Sequence, residues 1–108
     1  MVPDSKWLRM PSVRLFDEVE PSKAQALKPL EEAAELFGAW QAWQENGPTM
    51  DCEEIRLAER IVDECCDTIS AVCNLLAAFG VHDLTEPMRR CRERNAKRGR
   101  ITDGTSDR

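Results

Sequence analysis

The sequence predicts an all-α fold, and three observations support this prediction. One long segment, residues 55–79, carries apolar residues at alternating steps of three and four, which is the period of an amphipathic helix. No segment shows the apolar–polar alternation that is typical of a strand. Glycine and proline stand where such helices would begin and end. With 108 residues, the chain is predicted to form a single small domain.

The composition is that of a soluble globular protein. Hydrophobic residues make up 42% of the chain and charged residues 32%, unlike a disordered or a membrane protein. No apolar run reaches the roughly 18 residues of a membrane span, and residues 1–11 lack the apolar stretch of a signal peptide. We therefore expect a cytoplasmic protein without a membrane partner.

The first helix is predicted to follow an irregular N-terminal arm. Residues 1–21 contain three prolines and little periodicity. Ser22 is a suitable N-cap for a helix that runs to about Glu45. Pro29 either kinks this helix or marks its true start near Lys28, because a proline costs a hydrogen bond in a helix interior but not in a first turn.

The second helix is predicted over Cys52–Phe79. The sequence Asn46-Gly47-Pro48 breaks the chain before it. Asp51, followed three residues later by Glu54, resembles a capping box. Gly80 is a fitting C-terminal stop.

Two apolar rows run along this second helix. The first apolar row, which we expect to be a packing stripe, consists of Ile55, Ala58, Val62, Cys65, Ile69, Val72, Leu76 and Phe79. The second apolar row lies about 100° around the helix and consists of Leu57, Ile61, Ala71, Leu75 and Ala78. One partner helix cannot cover both rows, so we expect oligomerisation to complete the core, in a homodimer or a homotetramer.

The third helix is predicted to carry most of a basic cluster. It begins between Asp83 and Pro87, continues to about Lys97, and leaves residues 101–108 as a mobile tail. The stretch Arg89–Arg100 holds seven basic residues and one acidic residue, whereas the whole chain has a net charge of −5. An acidic body and a basic stretch could meet at a ligand that carries both metal and phosphate. Taken alone, the basic stretch is more typical of a solvated face or a nonspecific nucleic-acid contact.

The five cysteines are predicted to be reduced thiols in or near the core. Their number is odd, they lack C-x-x-C spacing, and the chain has only one histidine, so neither a disulfide framework nor a zinc cluster is expected. The residues are Cys52, Cys65, Cys66, Cys73 and Cys91.

Four carboxylates form two pairs with helical i, i+3 spacing. Glu32 and Glu35 lie on the first helix, and Glu64 and Asp67 lie on the second. Each pair shares a helix face, and hard divalent ions such as Mg²⁺ take oxygen ligands of this kind. Glu64 also falls within the second apolar row, where an uncompensated carboxylate is costly. The alternative interpretation is that both acidic runs are solvated faces.

These acidic motifs resemble those of a known family. The pattern E-E-x-x-E followed by E-x-x-D is formed here by Glu31, Glu32, Glu35, Glu64 and Asp67. It resembles the MazG-like all-α nucleoside triphosphate pyrophosphatases, which include dimeric dUTPases and dCTP pyrophosphatases. The resemblance covers residues 24–100 and includes the C-terminal pattern Asn95-Ala-Lys-Arg-Gly-Arg100.

The resemblance implies a helical bundle with a Mg²⁺ site, in which Mn²⁺ is an alternative metal. The implied metal ligands are Glu32, Glu35, Glu64 and Asp67. The implied catalytic carboxylates are Glu31, as an outer acid, together with Glu35 and Glu64. The implied phosphate ligands are Arg94, Lys97, Arg98 and Arg100, and Asn95 would contact the sugar or the base.

The expected activity is hydrolysis of an NTP or a dNTP to the monophosphate and pyrophosphate. Trp40 and Trp43 could stack on the nucleobase, or they could belong to the core or to an oligomer interface. Two alternatives stay open. One is a helical protein that binds nucleotides without turnover, and the other is a nucleic-acid-associated protein that acts through Arg89–Arg100.

Overall fold

The computed structural model describes residues 6–48 and 51–102, and it is helical. Three helices run in order: α1 (Lys23–Asn46), α2 (Cys52–Ala78) and α3 (Thr85–Lys97). These residues contain no strand, so the all-α prediction is confirmed. None of the described helices is both long and apolar enough to cross a membrane. The outer part of the predicted arm, residues 1–5, and most of the predicted tail, residues 103–108, lie outside the described residues.

Helix α1 starts at the earlier of the two predicted places. The Ser22 Oγ accepts a hydrogen bond from the Gln25 backbone N–H at 3.2 Å, as an N-cap does. Pro29 lies inside the helix, so the alternative start near Lys28 is wrong. The missing N–H of Pro29 removes one backbone hydrogen bond. Tertiary packing along the rest of α1 outweighs this loss, since such packing supplies most helical stability in proteins.

Helix α2 begins and ends close to the predicted residues. The Asp51 side chain accepts a hydrogen bond from the Glu54 backbone N–H at 2.9 Å, which confirms the cap at this end. The helix ends at Ala78, with Phe79 as the C-cap. Gly80 then adopts a φ of 82°, in the left-handed region that favours glycine, and turns the chain away.

Helices α1 and α2 pack against each other through the second apolar row of α2. In the described part of the chain, the buried apolar residues are Ala39 on α1 and Ala71 and Ala77 on α2. The first apolar row points away from α1. Four of its large side chains are exposed, from 40% for Val72 to 69% for Phe79, whereas Ile69 and Leu76 are half-buried. Helix α1 therefore covers only one side of α2, and burial of the first apolar row between subunits stays a prediction.

The N-terminal arm lies across α2 and reaches α3. The Phe16 backbone N–H donates a hydrogen bond to the Asn74 Oδ1 at 2.9 Å, and Asn74 is fully buried. The Nδ2 of Asn74 has no hydrogen-bond partner among the described residues. Further along the arm, the Trp7 ring lies 5.4 Å from the Arg92 guanidinium carbon. This distance is within the range of a cation–π contact.

Helix α3 stands apart from the other two helices. Within residues 6–48 and 51–102, none of its Cα atoms comes within 8 Å of α1 or α2. Asp83 precedes α3 and accepts hydrogen bonds from the Thr85 hydroxyl and the Thr85 backbone N–H, which lower the pKa of its carboxyl group. A helix of 13 residues is marginal in water by itself. Contacts with the arm or with another chain must therefore support it.

The cysteines are less buried than the sequence suggested. Cys52 and Cys66 are exposed, and Cys65, Cys73 and Cys91 are half-buried. The expectation that these thiols lie in the core is wrong for the two exposed residues. Cys66 follows the side of α2 that α1 does not cover.

We predict that Asn74→Ala loosens the N-terminal arm. The substitution leaves the Phe16 N–H without its acceptor, and loss of such a buried partner costs about 1–3 kcal/mol. The melting temperature should fall, and trypsin should cleave faster after Arg9 and Arg14. Ser70→Ala, one turn earlier on α2, is the control and should leave the cleavage rate unchanged. Equal cleavage rates in Asn74→Ala and the wild type would contradict the assigned contact.

Candidate metal centre

Three of the four predicted carboxylates meet where α1 packs against α2. Glu32 and Glu35 come from α1, and Glu64 comes from α2. One carboxylate oxygen from each residue lies within 4.8 Å of those of the other two. The i, i+3 spacing places the α1 pair on one side of that helix, and the position of Glu64 in the second apolar row turns it toward α1. We call these three residues the acidic cluster.

The acidic cluster lacks the usual compensation for buried charge. The Glu32 side chain is only 14% exposed, Glu64 is half-buried and Glu35 is exposed. In the described part of the chain, none of the three carboxylates accepts a hydrogen bond. Two like charges about 4 Å apart repel by roughly 1 kcal/mol in water and by about 4 kcal/mol near a protein surface. A bound cation would relieve this repulsion.

Lys28 is the cation nearest to the acidic cluster among the described residues. Its Nζ lies 3.6 Å from a Glu32 oxygen and 3.7 Å from a Glu31 oxygen. Both distances are too long for a good hydrogen bond, and the Lys28 side chain is 50% exposed. One partly solvated ammonium therefore offsets only part of the cluster's charge. Sequence reasoning did not identify Lys28, although its i, i+4 spacing to Glu32 is a signal for such a pair.

The donor set of the acidic cluster fits a hard divalent cation. All three donors are carboxylate oxygens, which suit Mg²⁺, Mn²⁺ or Ca²⁺ better than zinc or copper. Neighbouring oxygens around an octahedral Mg²⁺ ion stand about 3.0 Å apart, since each lies about 2.1 Å from the ion. The oxygens of the acidic cluster lie within 4.8 Å of one another, so the side chains must move closer together for all three to bind one ion.

The fourth predicted ligand and the outer acid lie outside the acidic cluster. Asp67 is exposed, one helical turn beyond Glu64, and its carboxylate is not grouped with the other three. Glu31 is exposed and lies beside Lys28. The structure thus brings together three of the four predicted metal ligands.

The two predicted base-stacking tryptophans have different surroundings. The Trp40 ring is 43% exposed and stacks on Phe37, with ring centroids 5.7 Å apart. Trp43 is half-buried. It lies on the same face of α1 as Glu32, three turns further along. Trp40 is the more accessible of the two for a planar ligand.

The predicted phosphate ligands on and after α3 are not at the acidic cluster. Within the described residues, no ion pair joins Arg94, Lys97, Arg98 or Arg100 to any carboxylate. Arg100 Nη1 donates a hydrogen bond to the Asn95 Oδ1 at 3.2 Å. By contrast, Arg89 is paired with Glu86 and Glu93, which raise the pKa of its guanidinium group. The charge needed to bind an anion is therefore available at the C-terminal end of α3.

Comparison of the chain with protein-family models, with curated proteins and with solved structures finds no match. The resemblance of the acidic motifs to the MazG-like family therefore stays a prediction.

We predict that millimolar Mg²⁺ or Mn²⁺ raises the melting temperature of this protein. The metal would bind the folded acidic cluster and stabilise the folded state by mass action. Glu64→Gln keeps the shape of the side chain but removes one charge. Without metal, this variant should melt at or above the wild-type temperature, since repulsion is relieved. The rise in its melting temperature on adding metal should be smaller than that of the wild type.

Glu45→Gln is the matched control for that measurement, because it makes the same chemical change at an exposed position near the end of α1. It should retain the full wild-type shift. Melting curves of the wild type that do not change with metal would show that the acidic cluster binds no divalent cation.

Proposed function

We propose that this chain is a Mg²⁺-dependent pyrophosphohydrolase that converts an NTP or a dNTP to the monophosphate and pyrophosphate. The observation that carries the proposal is the convergence of Glu32, Glu35 and Glu64 within 4.8 Å. The two motifs that supply these residues resemble those of the MazG-like pyrophosphatases in sequence and in order, although the gap between them is longer than is usual in that family.

In this proposal the acidic cluster holds the metal, and Asp67 joins it from one turn further along α2. A bound Mg²⁺ ion supplies charge neutralisation at the phosphate oxygens and makes a nearby water more acidic. The Glu32 side chain is only 14% exposed, and Glu64 is half-buried. These two carboxylates are suited to hold a ligand in place rather than to move a proton.

Glu35 is the carboxylate best placed to act on water. It lies at the exposed edge of the acidic cluster, where both solvent and substrate have access. Its carboxylate would orient the attacking water and accept the water's proton as the oxygen–phosphorus bond forms at the α-phosphate. The bond from the α-phosphorus to the bridging oxygen breaks, and pyrophosphate leaves with the bonding electron pair. Glu31 is an outer acid in this scheme, because Lys28 lies beside it.

The basic residues of α3 would stabilise the leaving pyrophosphate. Negative charge develops on pyrophosphate as it leaves, and basic side chains directed at this charge lower the energy of the transition state. Since α3 does not closely approach α1 or α2 within the described chain, the proposal includes a homodimer or homotetramer, in which α3 of one copy can serve the acidic cluster of another. The exposed Trp40 is the proposed contact for the base, and Asn95 for the sugar or base.

Two observations favour alternatives without catalysis. Asp67 lies outside the acidic cluster, and a site with three carboxylates could hold a metal–nucleotide complex without turning it over. Helix α3 does not closely approach α1 or α2 within the described chain. A basic helix that binds nucleic acid would also lie apart from the acidic cluster. Such a protein would bind DNA or RNA with a steep dependence on salt, and it would not need Glu64.

We predict pyrophosphate release from at least one common NTP or dNTP in the presence of Mg²⁺. A screen over all eight nucleotides, with and without the metal, measures this activity. Glu64→Gln and Asp67→Asn should each lower the turnover number by at least ~100-fold, because losing one charged ligand weakens the field that stabilises the transition state. Replacing Lys97 and Arg98 by Ala should mainly raise KM.

Glu45→Gln is again the control and should keep wild-type turnover. Nucleotide binding without any pyrophosphate release would favour the non-catalytic module. Full turnover in Glu64→Gln would contradict the assignment of the acidic cluster as the active site.

A further inference from the structure

The first apolar row of α2 has the spacing of a coiled-coil seam. Ile55, Val62, Ile69 and Leu76 recur every seven residues, and so do Ala58, Cys65, Val72 and Phe79, displaced from the first set by three. Together they occupy the a and d positions of more than three heptads, which is the pattern of helices that pack along their length. Ile55 and Val62 are 59% and 60% exposed. Val72 and Phe79 are exposed as well, whereas Cys65, Ile69 and Leu76 are half-buried. The described chain therefore covers the seam only in part.

The exposed residues of the seam are symmetric about one point. Ile55 and Phe79 stand twelve positions to either side of residue 67, and Val62 and Val72 stand five positions to either side. An antiparallel copy of α2 centred there would set Val62 against Val72 of the partner subunit, and Ile55 against Phe79 of the partner subunit. Each a position would meet a d position, which is how apolar layers form between antiparallel helices.

We propose that a second copy of this chain packs along the first apolar row of α2 in the antiparallel direction, with the two-fold axis near residue 67. The interface is isologous, so each copy buries the same seam. The interface rests on the homodimer or homotetramer that the proposed function includes, and its tests measure assembly without any need for turnover. The acidic cluster lies on another face of α2, toward α1, and the pairing leaves it accessible.

The distribution of charge along α2 selects the antiparallel direction. Glu54 and Glu59 flank the seam near the start of the helix. In a parallel pair, Glu54 of one copy would lie beside Glu59 of the partner subunit. Like charges at such flanking positions destabilise the pair. In the antiparallel pair Glu59 lies beside the uncharged Cys73 of the partner subunit. Helix dipoles also oppose each other favourably in this direction.

The proposal is tested first with a charge inserted into the seam. Val62→Glu places a carboxylate against Val72 of the partner subunit, where an unpaired charge is costly to bury. The wild type should sediment as a dimer or a larger assembly at low micromolar concentration, and Val62→Glu should sediment at half that mass. Arg60→Gln changes the net charge by the same amount from an exposed position on another face of α2 and should leave the mass unchanged.

The direction of pairing is tested by combining Val62→Glu with Val72→Lys. In an antiparallel pair the introduced carboxylate of one copy meets the introduced ammonium of the other, and assembly should return. In a parallel pair each introduced charge meets its own kind, and the protein should stay dissociated. Helicity by circular dichroism should remain at the wild-type level in all variants, since both positions are exposed in the single chain.

The position of the axis is tested with a short bis-maleimide cross-linker. The exposed thiol of Cys66 should lie close to Cys66 of the partner subunit. Cross-linked dimers should form in the wild type and in Cys52→Ser, and they should be lost in Cys66→Ser.

A monomeric wild type, or a Val62→Glu variant of unchanged mass, would overturn the proposed interface. A double variant that remains dissociated would overturn the antiparallel direction, and cross-linking that survives Cys66→Ser would overturn the position of the axis.

Discussion

The packing of α1 against α2 is the interaction on which the rest of the structure depends. It is the only close approach between helices within the described residues, and its buried apolar side chains are alanines. Small side chains allow two helix axes to lie close together. This closeness brings Glu64 near the α1 pair, since a glutamate side chain has limited reach. Larger residues at Ala39 or Ala71 would separate the helices and disperse the acidic cluster.

The same packing places like charges, rather than apolar side chains, between α1 and α2. Three carboxylates stand where an apolar contact would have stabilised the helix pair, and among the described residues Lys28 alone lies beside them as a cation. Large apolar side chains that could have formed a core lie instead on the outer sides of the helices, as Phe37 and Val62 do. Within the described chain, the pair formed by α1 and α2 therefore has two surfaces that could bind a partner. One is acidic and suited to a cation, and the other is apolar and suited to a helix.

The sequence predicted those features that depend on neighbours along the chain. The ends of α1 and α2 follow from Ser22, Asp51 and Gly80, whose capping and turn properties are local. The meeting of Glu32, Glu35 and Glu64 follows from i, i+3 spacing on two helices that pack together. The sequence could not show which apolar row of α2 faces α1, because both rows have the same period. Periodicity identifies a face but not its partner.

Features that depend on distant parts of the chain were out of reach. The hydrogen bond between Phe16 and Asn74 joins residues 58 positions apart, and no local pattern indicates it. A buried asparagine in the apolar half of α2 was its one visible sign. The separation of α3 was equally hidden, since its amphipathic sequence shows that it needs a contact but not where that contact lies.

The isolation of α3 also determines how this protein should refold. The α1–α2 hairpin has contacts that are close in sequence, and such hairpins form rapidly within one chain. Helix α3 is too short to persist alone. Where α3 of one copy serves the acidic cluster of another, as the proposed function includes, the final ordering of α3 waits for an encounter between chains. Refolding after dilution from denaturant should then show a first phase whose rate is independent of protein concentration, followed by a second phase that accelerates as the concentration rises.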